Sequence, residues 1–256
     1  MELKFLYNEP AILLDKNLII ADLHLGVEAE TLSRSVAIRK VRENIEKIKK
    51  LVEKFNVKRV IVTGDFKHKI PKKNKKDKRE NEENGEDNEI EDNEIEKIEK
   101  SINIRKIINE MKSFVDLVII SGNHDGGIKE KVNEMVIKNV GIIHGHRWPS
   151  EKILKCSTII CSHIHPFYTI EDKFGKKRER VFLIGKFTEE FYRDYEKKFR
   201  KNIRKKIKKV SKVIIIPPFN DLVYGKDIRE IDRGIFSKKR FKIVSIYLLN
   251  GIKISL

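Results

Sequence analysis

The sequence predicts an α/β protein whose sheet contains parallel crossover units. Three short apolar runs carry that prediction, Leu18–Ala21, Val57–Thr63 and Val115–Ile120, each bounded by polar loops. Between the first two, Ala37, Val41, Ile45, Ile48, Val52 and Phe55 recur at intervals of three and four among Lys, Arg and Glu. That is the period of an amphipathic helix of about five turns. Strand, helix and strand in succession make a parallel βαβ unit, whose ligands bind beyond the carboxyl ends of the strands. All three runs deliver residues suited to that position: Asp22 and His24, Gly64-Asp65, and Ser121-Gly122-Asn123-His124-Asp125.

Taken in order, Leu3–Tyr7 and Ala11–Leu14 read as a hairpin around Asn8-Glu9-Pro10, ahead of the first crossover unit. Residues 71–100 hold 8 Lys/Arg against 12 Asp/Glu and almost no apolar side chain before Ile90. Such a composition cannot bury enough surface to offset its ordering entropy, so 71–92 is expected to be a disordered charged insertion. Helical spacing resumes near Glu94 through Ile95, Ile98, Ile102, Ile107 and Met111, and gives a second crossover into Val115–Ile120. A short helix near Ile128–Met135, a strand at Gly141–Ile143 and another at Thr158–Cys161 follow. Phe167–Ile170 and Arg180–Ile184 form a hairpin around Gly175, and 189–210 reads as one very basic helix. Val213–Ile216 is a further strand, and Asn250-Gly251 between Phe241–Leu249 and Ile252–Leu256 is a strong hairpin signal. No internal repeat interrupts this order, and residues 1–256 are expected to form one domain.

Composition narrows the setting. An apolar fraction of 39% in 256 residues supports a sizeable core, and no apolar run of 18 residues exists to span a bilayer. The start, Met1-Glu2-Leu3-Lys4, does not resemble a signal peptide, and two cysteines are too few for a disulfide framework. A reducing cytoplasm with no membrane association is the expected location. A net charge of +17 favours an anionic partner such as nucleic acid.

The histidines carry the chemistry. All seven, at 24, 68, 124, 144, 146, 163 and 165, lie in five stretches that follow apolar runs. Scattered structural histidines would not gather at strand ends and nowhere else. Mixed Asp and Asn oxygens with imidazole nitrogens suit borderline divalent ions such as Mn²⁺, Zn²⁺, Fe²⁺ or Ni²⁺, and both cysteines fall outside the pattern. The candidates exceed what one ion needs, so two ions sharing a carboxylate are expected. Two ions roughly 3.5–4 Å apart clamp the attacking and leaving oxygens of a phosphoryl displacement.

The series Asp22-x-His24, Gly64-Asp65-x-x-His68, Gly122-Asn123-His124-Asp125, His144-Gly-His146 and His163-x-His165 resembles the calcineurin-like metallophosphoesterase superfamily, in the family's own order. The whole chain looks most like the archaeal ICC-like phosphoesterases, relatives of the SbcD-type nucleases, through His144-Gly-His-Arg-Trp-Pro149 and Pro217-Pro-Phe-Asn220. The resemblance implies a four-layer αββα sandwich of two mixed β-sheets with metals at the strand ends. It implies hydrolysis of a phosphodiester or phosphomonoester by metal-activated water, with Mn²⁺ the first choice of ion and a nuclease acting on DNA or RNA as one form of it. A catalytically idle, nucleic-acid-binding scaffold is the rival from another class.

Position by position, the resemblance gives Asp22, His24, Asp65 and His165 to one metal, with Asp65 bridging, and Asn123, His144 and His163 to the other. It makes His124 the catalytic histidine, has Asp125 orient it, and puts His68 near the substrate phosphate. Ser162 departs from the family's usual glycine, and His146 competes with His144 as ligand. Arg147 suits a phosphate clamp or a solvent-facing charge, Trp148 suits packing or base stacking, and Asn220 stands where it would line the site. The basic helix 189–210 is either a solvated face or a nucleic-acid contact.

Overall fold

A computed structural model describes residues 2–30, 32–68, 102–173, 175–205 and 210–255. The expected insertion at 71–92 and the start of the helix expected from Glu94 lie outside the described residues. The first sheet has five strands in sequence order: β1 (Leu3–Phe5), β2 (Ala11–Leu14), β3 (Asn17–Ile20), β4 (Arg59–Val62) and β5 (Asp116–Ile119). The β1–β2 and β2–β3 pairs are antiparallel, and β3, β4 and β5 are parallel, so their carboxyl ends lie side by side. The crossover from β3 to β4 is α1 (Arg34–Lys54), which buries Ala37, Val41, Ile45, Ile48 and Val52, the face its period predicts. The helix before β5 is α2 (Ile104–Phe114), capped where the Asn103 side chain accepts the Lys106 N–H at 3.1 Å.

The second sheet has nine strands: β6 (Glu134–Ile137), β7 (Val140–Ile143), β8 (Thr158–Cys161), β9 (Pro166–Asp172), β10 (Gly175–Phe187), β11 (Lys212–Ile215), β12 (Lys226–Asp227), β13 (Phe241–Leu248) and β14 (Lys253–Ile254). It too is mixed, with β7, β8 and β11 parallel and the β9–β10, β10–β11 and β10–β13 pairs antiparallel. The packing shows why two sheets and two helical layers result. Along each central strand alternate residues face opposite ways. Ile19, Ile61, Ile160 and Ile214 share one core between the sheets with Ile12, Val140, Ile142 and Phe182. Leu18, Ile20, Val60 and Val62 face α1 and α2. Ile159, Cys161, Val213 and Ile215 face α3 (Glu151–Leu154) and α4 (Glu189–Phe199). The four-layer αββα sandwich therefore follows from strands that are apolar on both faces.

Two local expectations are corrected. The region read as a helix near Ile128–Met135 ends in strand β6, paired antiparallel with β7. Its apolar residues happen to fall at helical intervals, but Met135, Val136 and Ile137 complete a sheet edge instead. The basic helix expected over 189–210 stops at Phe199, where Arg200 takes a left-handed conformation (φ 52°). The chain then folds back, with the Arg204 N–H on Glu196 Oε1 at 2.9 Å and its guanidinium on Glu196 Oε2. Residues 206–209 lie outside the described ones.

Candidate metal centre

Five loops converge at the carboxyl ends of β3, β4, β5, β7 and β8, and the backbone there is contorted. Of the ten non-glycine residues with positive φ among the described residues, five are Asp22 (49°), His24 (42°), Asp65 (47°), His163 (77°) and His165 (41°). Each such residue costs about 1–3 kcal/mol and persists only where the surroundings over-determine it. Hydrogen bonds between loops do so here: His24 N–H to Asp65 O at 2.8 Å, Leu25 N–H to Phe66 O at 3.0 Å, and His124 N–H to Asp65 Oδ1 at 2.9 Å. Two of the three glycines in the motifs permit the approach. A Cβ on Gly64 would overlap the His144 ring, and one on Gly122 would overlap Asp65 itself.

Asp65 stands at the middle. Its Oδ2 lies 3.2 Å from His144 Nε2 and 3.6 Å from His24 Nε2. Asp22 Oδ2 lies 3.7 Å from His165 Nε2, whose ring nitrogen is 3.4 Å from His24 Nε2. Asn123 Oδ1 lies 3.2 Å from His144 Nε2. Two donor groups result, Asp22/His24/Asp65/His165 and Asp65/His144/His163, each with ligand atoms within 4.8 Å of one another and with Asp65 in common. A third group, His24/His68/His124, adjoins them.

The electrostatics fit cations. Asp22 is fully buried, and its Oδ1 has no hydrogen-bond partner, which is costly for a carboxylate without a positive charge at hand. Burial would raise the Asp65 carboxyl, yet the His144 bond and charge hold it well below the usual range. Burial would also raise Asp22, and His165 and His144 outweigh it to leave that carboxyl lowered as well. Burial disfavours charge on His144 and His165, but Asp65 and Asp22 pull both upward. Burial drives His24 and His163 down to about 3, which leaves neutral rings with lone pairs. Main-chain carbonyls orient two of the rings. His144 Nδ1–H donates to Thr63 O at 2.8 Å and His165 Nδ1–H to Tyr224 O at 3.1 Å, so each Nε2 faces the carboxylates.

The remaining residues fall behind or beside this cluster. His124 is half-buried 4.9 Å from the His24 ring, burial lowers its pKa, and no described residue bonds its ring nitrogens. Asp125 was expected to orient that imidazole; it acts on the main chain instead. It is fully buried, with Oδ1 accepting from Phe66 N–H (2.8 Å) and Lys67 N–H (3.3 Å) and Oδ2 from Gly122 N–H (2.8 Å). His68 stacks on His124, with ring centroids 5.5 Å apart. His146 lies beside His144 (5.0 Å between centroids), with both ring nitrogens buried and unpartnered, and it lines a cavity of about 150 Å³ with the exposed Arg147. Asn220, expected to line the site, is fully buried behind it. Its amide donates to Leu23 O and Glu28 Oε1, both at 2.9 Å, and is withheld from any substrate. Trp148 packs against Phe191 (5.1 Å) and Tyr195 (5.9 Å) beneath the Arg240 guanidinium.

Sequence reasoning missed the supports. Thr63 and Tyr224 act through carbonyls, which carry no residue signature. Buried Glu28, which accepts from Gly26 N–H at 2.8 Å, and Glu30 resemble ordinary helix-entry acids. Ser162 does more than replace a glycine, because its hydroxyl donates to Thr63 O at 2.6 Å.

The family model for calcineurin-like phosphoesterases matches residues 16–231. No curated protein sequence matches the chain. Among solved structures, the chain is similar to the Pseudomonas putida nuclease MPE at 16% identity and TM-score 0.57, covering 97% of this chain and 92% of that one. Vps29 of Chaetomium thermophilum is more distant, at 15% identity, TM-score 0.32, and 62% and 68% coverage. Vps29 of Cryptosporidium parvum shares 14% identity at TM-score 0.30, over 62% and 70%.

Proposed function

From its membership of the calcineurin-like phosphoesterase family, to which the chain belongs over residues 16–231, we propose that the protein is a metal-dependent hydrolase of phosphodiester bonds, with nucleic acid as substrate. The observation that carries this reading is the buried oxygen and nitrogen cluster shared through Asp65. In it Asp22, His24, Asp65 and His165 hold one divalent ion, and Asp65, Asn123, His144 and His163 hold a second, with Mn²⁺ the preferred ion of the set. Two ions so bound would polarise the phosphoryl group and acidify an attacking water. His124, whose ring nitrogens no described residue bonds and whose pKa burial lowers, donates a hydrogen bond to the phosphoryl or leaving oxygen. Asp125 holds the His124 loop against the Asp65 loop through the main chain. His68 supports the His124 ring by stacking, and exposed Arg147 offers a second phosphate contact.

The net charge of +17 and the likeness to a nuclease support nucleic acid over a small diester. The same reading treats 1–256 as one cytoplasmic catalytic domain. No helix among the described residues is long and apolar enough to cross a membrane. The test is hydrolysis of bis-p-nitrophenyl phosphate, single- and double-stranded DNA, RNA, cyclic nucleotides and monoesters, with Mn²⁺, Zn²⁺, Fe²⁺ or Ni²⁺ after removal of resident metal. Metal-dependent cleavage of the model diester and of one nucleic acid is expected. Protein that binds two ions and cleaves nothing would make the chain an idle scaffold.

A further inference from the structure

Three ligand imidazoles turn a ring nitrogen away from the metal centre, and what receives it differs in kind. His144 and His165 meet the carbonyls of Thr63 and Tyr224. A carbonyl can only accept, so each of those rings carries a proton at Nδ1 and turns Nε2 to the metal centre. His24 has no carbonyl there. Its Nδ1 lies 3.2 Å from Nδ1 of His68, another imidazole nitrogen.

Two such nitrogens share one proton, and the pair by itself does not decide who carries it. If His24 donates, its Nε2 lone pair is available beside Asp65 Oδ2 and His165 Nε2. If His68 donates, the His24 proton sits on Nε2, pointed at the metal, and His24 is lost as a ligand. The other end of His68 resolves the choice. Its Nε2 lies 2.9 Å from Glu30 Oε1, and a carboxylate accepts only. With the His68 proton held at Nε2 by Glu30, His68 Nδ1 must accept and His24 Nδ1 must donate.

We propose that Glu30 and His68 are positioning residues, a two-member relay that fixes His24 in the tautomer able to bind metal through Nε2. Both members are held in place. Glu30 ends the 3-10 turn Val27–Glu30, which buried Glu28 anchors through Gly26 N–H and the Asn220 amide. His68 is tied to the His24 loop by its N–H on Leu25 O at 2.9 Å. The stacking of His68 on His124 means that the same relay also sets the face of the proposed catalytic imidazole. The inference rests on the metal-centre reading above, and it assigns His68 to the ligand rather than to the substrate.

The test is ion binding, measured by chelator competition with Zn²⁺ and Mn²⁺, together with imidazole ¹⁵N NMR of the metal-free and Zn²⁺-loaded protein. Glu30→Leu, which leaves no acceptor for His68 Nε2–H, should weaken one ion by about 10–100-fold, the usual loss when the group behind a histidine ligand is removed, and leave the other unchanged. In the metal-free protein the His24 proton should move from Nδ1 to Nε2. His68→Leu should weaken the same ion. His68→Gln, whose amide oxygen can accept from His24, should retain near wild-type affinity and make Glu30→Leu silent when the two are combined. Unchanged binding in Glu30→Leu, or an unmoved His24 proton in that variant, overturns the relay. Binding of a third Zn²⁺ equivalent that depends on His68 and His124 would overturn it too, by making these rings a metal site. Wild-type protein that binds no ion pair would instead defeat the metal-centre reading itself.

Discussion

The two sheets contribute to one centre in different currencies. The loops of the first sheet supply every oxygen, from Asp22, Asp65 and Asn123, together with His24 and His124. The loops after β7 and β8 of the second supply only imidazoles, from His144, His163 and His165. The first sheet's loops are also laced together by main-chain bonds through Asp125 and Asp65, and the second's by Ser162, whose N–H bonds His144 O at 2.8 Å and whose hydroxyl lies 3.1 Å from His144 Nδ1. The difference in donors separates two tasks. Negative charge suited to cations is gathered in a cradle on one side, and imidazoles close over it from the other.

The largest expected effect breaks this division at its centre. Asp65→Asn removes the shared charge, so metal analysis should find both ions depleted and activity lost beyond the roughly 100-fold typical of supporting groups. His165→Ala should deplete one ion only; depletion of both by His165→Ala, or of one alone by Asp65→Asn, would erase the distinction between cradle and cover. Next is His124→Ala, which should keep both ions and lose about 10²–10⁴ in turnover. The loss should shrink for a p-nitrophenolate leaving group if His124 protonates the leaving oxygen, and stay constant if it stabilises the phosphoryl oxygens.

Asp125→Ala probes the stiffness of the cradle. It strands three backbone donors, each worth about 1–3 kcal/mol when left buried and unmatched, so the denaturation midpoint should fall clearly. A midpoint near wild type would show that the lacing is dispensable. Ser162→Gly, on the second sheet, removes a hydroxyl that bonds Thr63 O and lies 3.1 Å from His144 Nδ1, and should cost about 1 kcal/mol with metal content unchanged, because Thr63 O still holds the His144 ring.

Legibility in the sequence followed the same physics. Strands buried on both faces announce themselves as unbroken β-branched runs, and Thr158–Cys161 is read to the residue, while Leu18–Ala21 is one residue late against Asn17–Ile20. The second sheet was harder, because β6 carries helical spacing and the basic helix looks continuous through Arg200, whose left-handed backbone leaves no mark in the pattern. In the site, the residues that the structure gathers are side chains with metal chemistry, and these the sequence displays openly. What holds them does not show. Carbonyls of Thr63 and Tyr224 are anonymous, Asp125 was credited with a ring when it grips a backbone, and Glu28 and Glu30 differ from solvated acids only by where the fold puts them.

The segment after β11 crosses from the second sheet to the first, where Phe219 enters the core beneath α1 and its N–H bonds Ala21 O at 2.8 Å. Asn220 beside it reaches partners 192 and 197 residues earlier in the chain. Contacts of such span are entropically slow to close and come late in folding. During synthesis Asp22, Asp65 and Asn123 therefore leave the ribosome well before Asn220, and the loop that carries Asp22 and His24 gains its last fastening only when the chain returns to its own beginning.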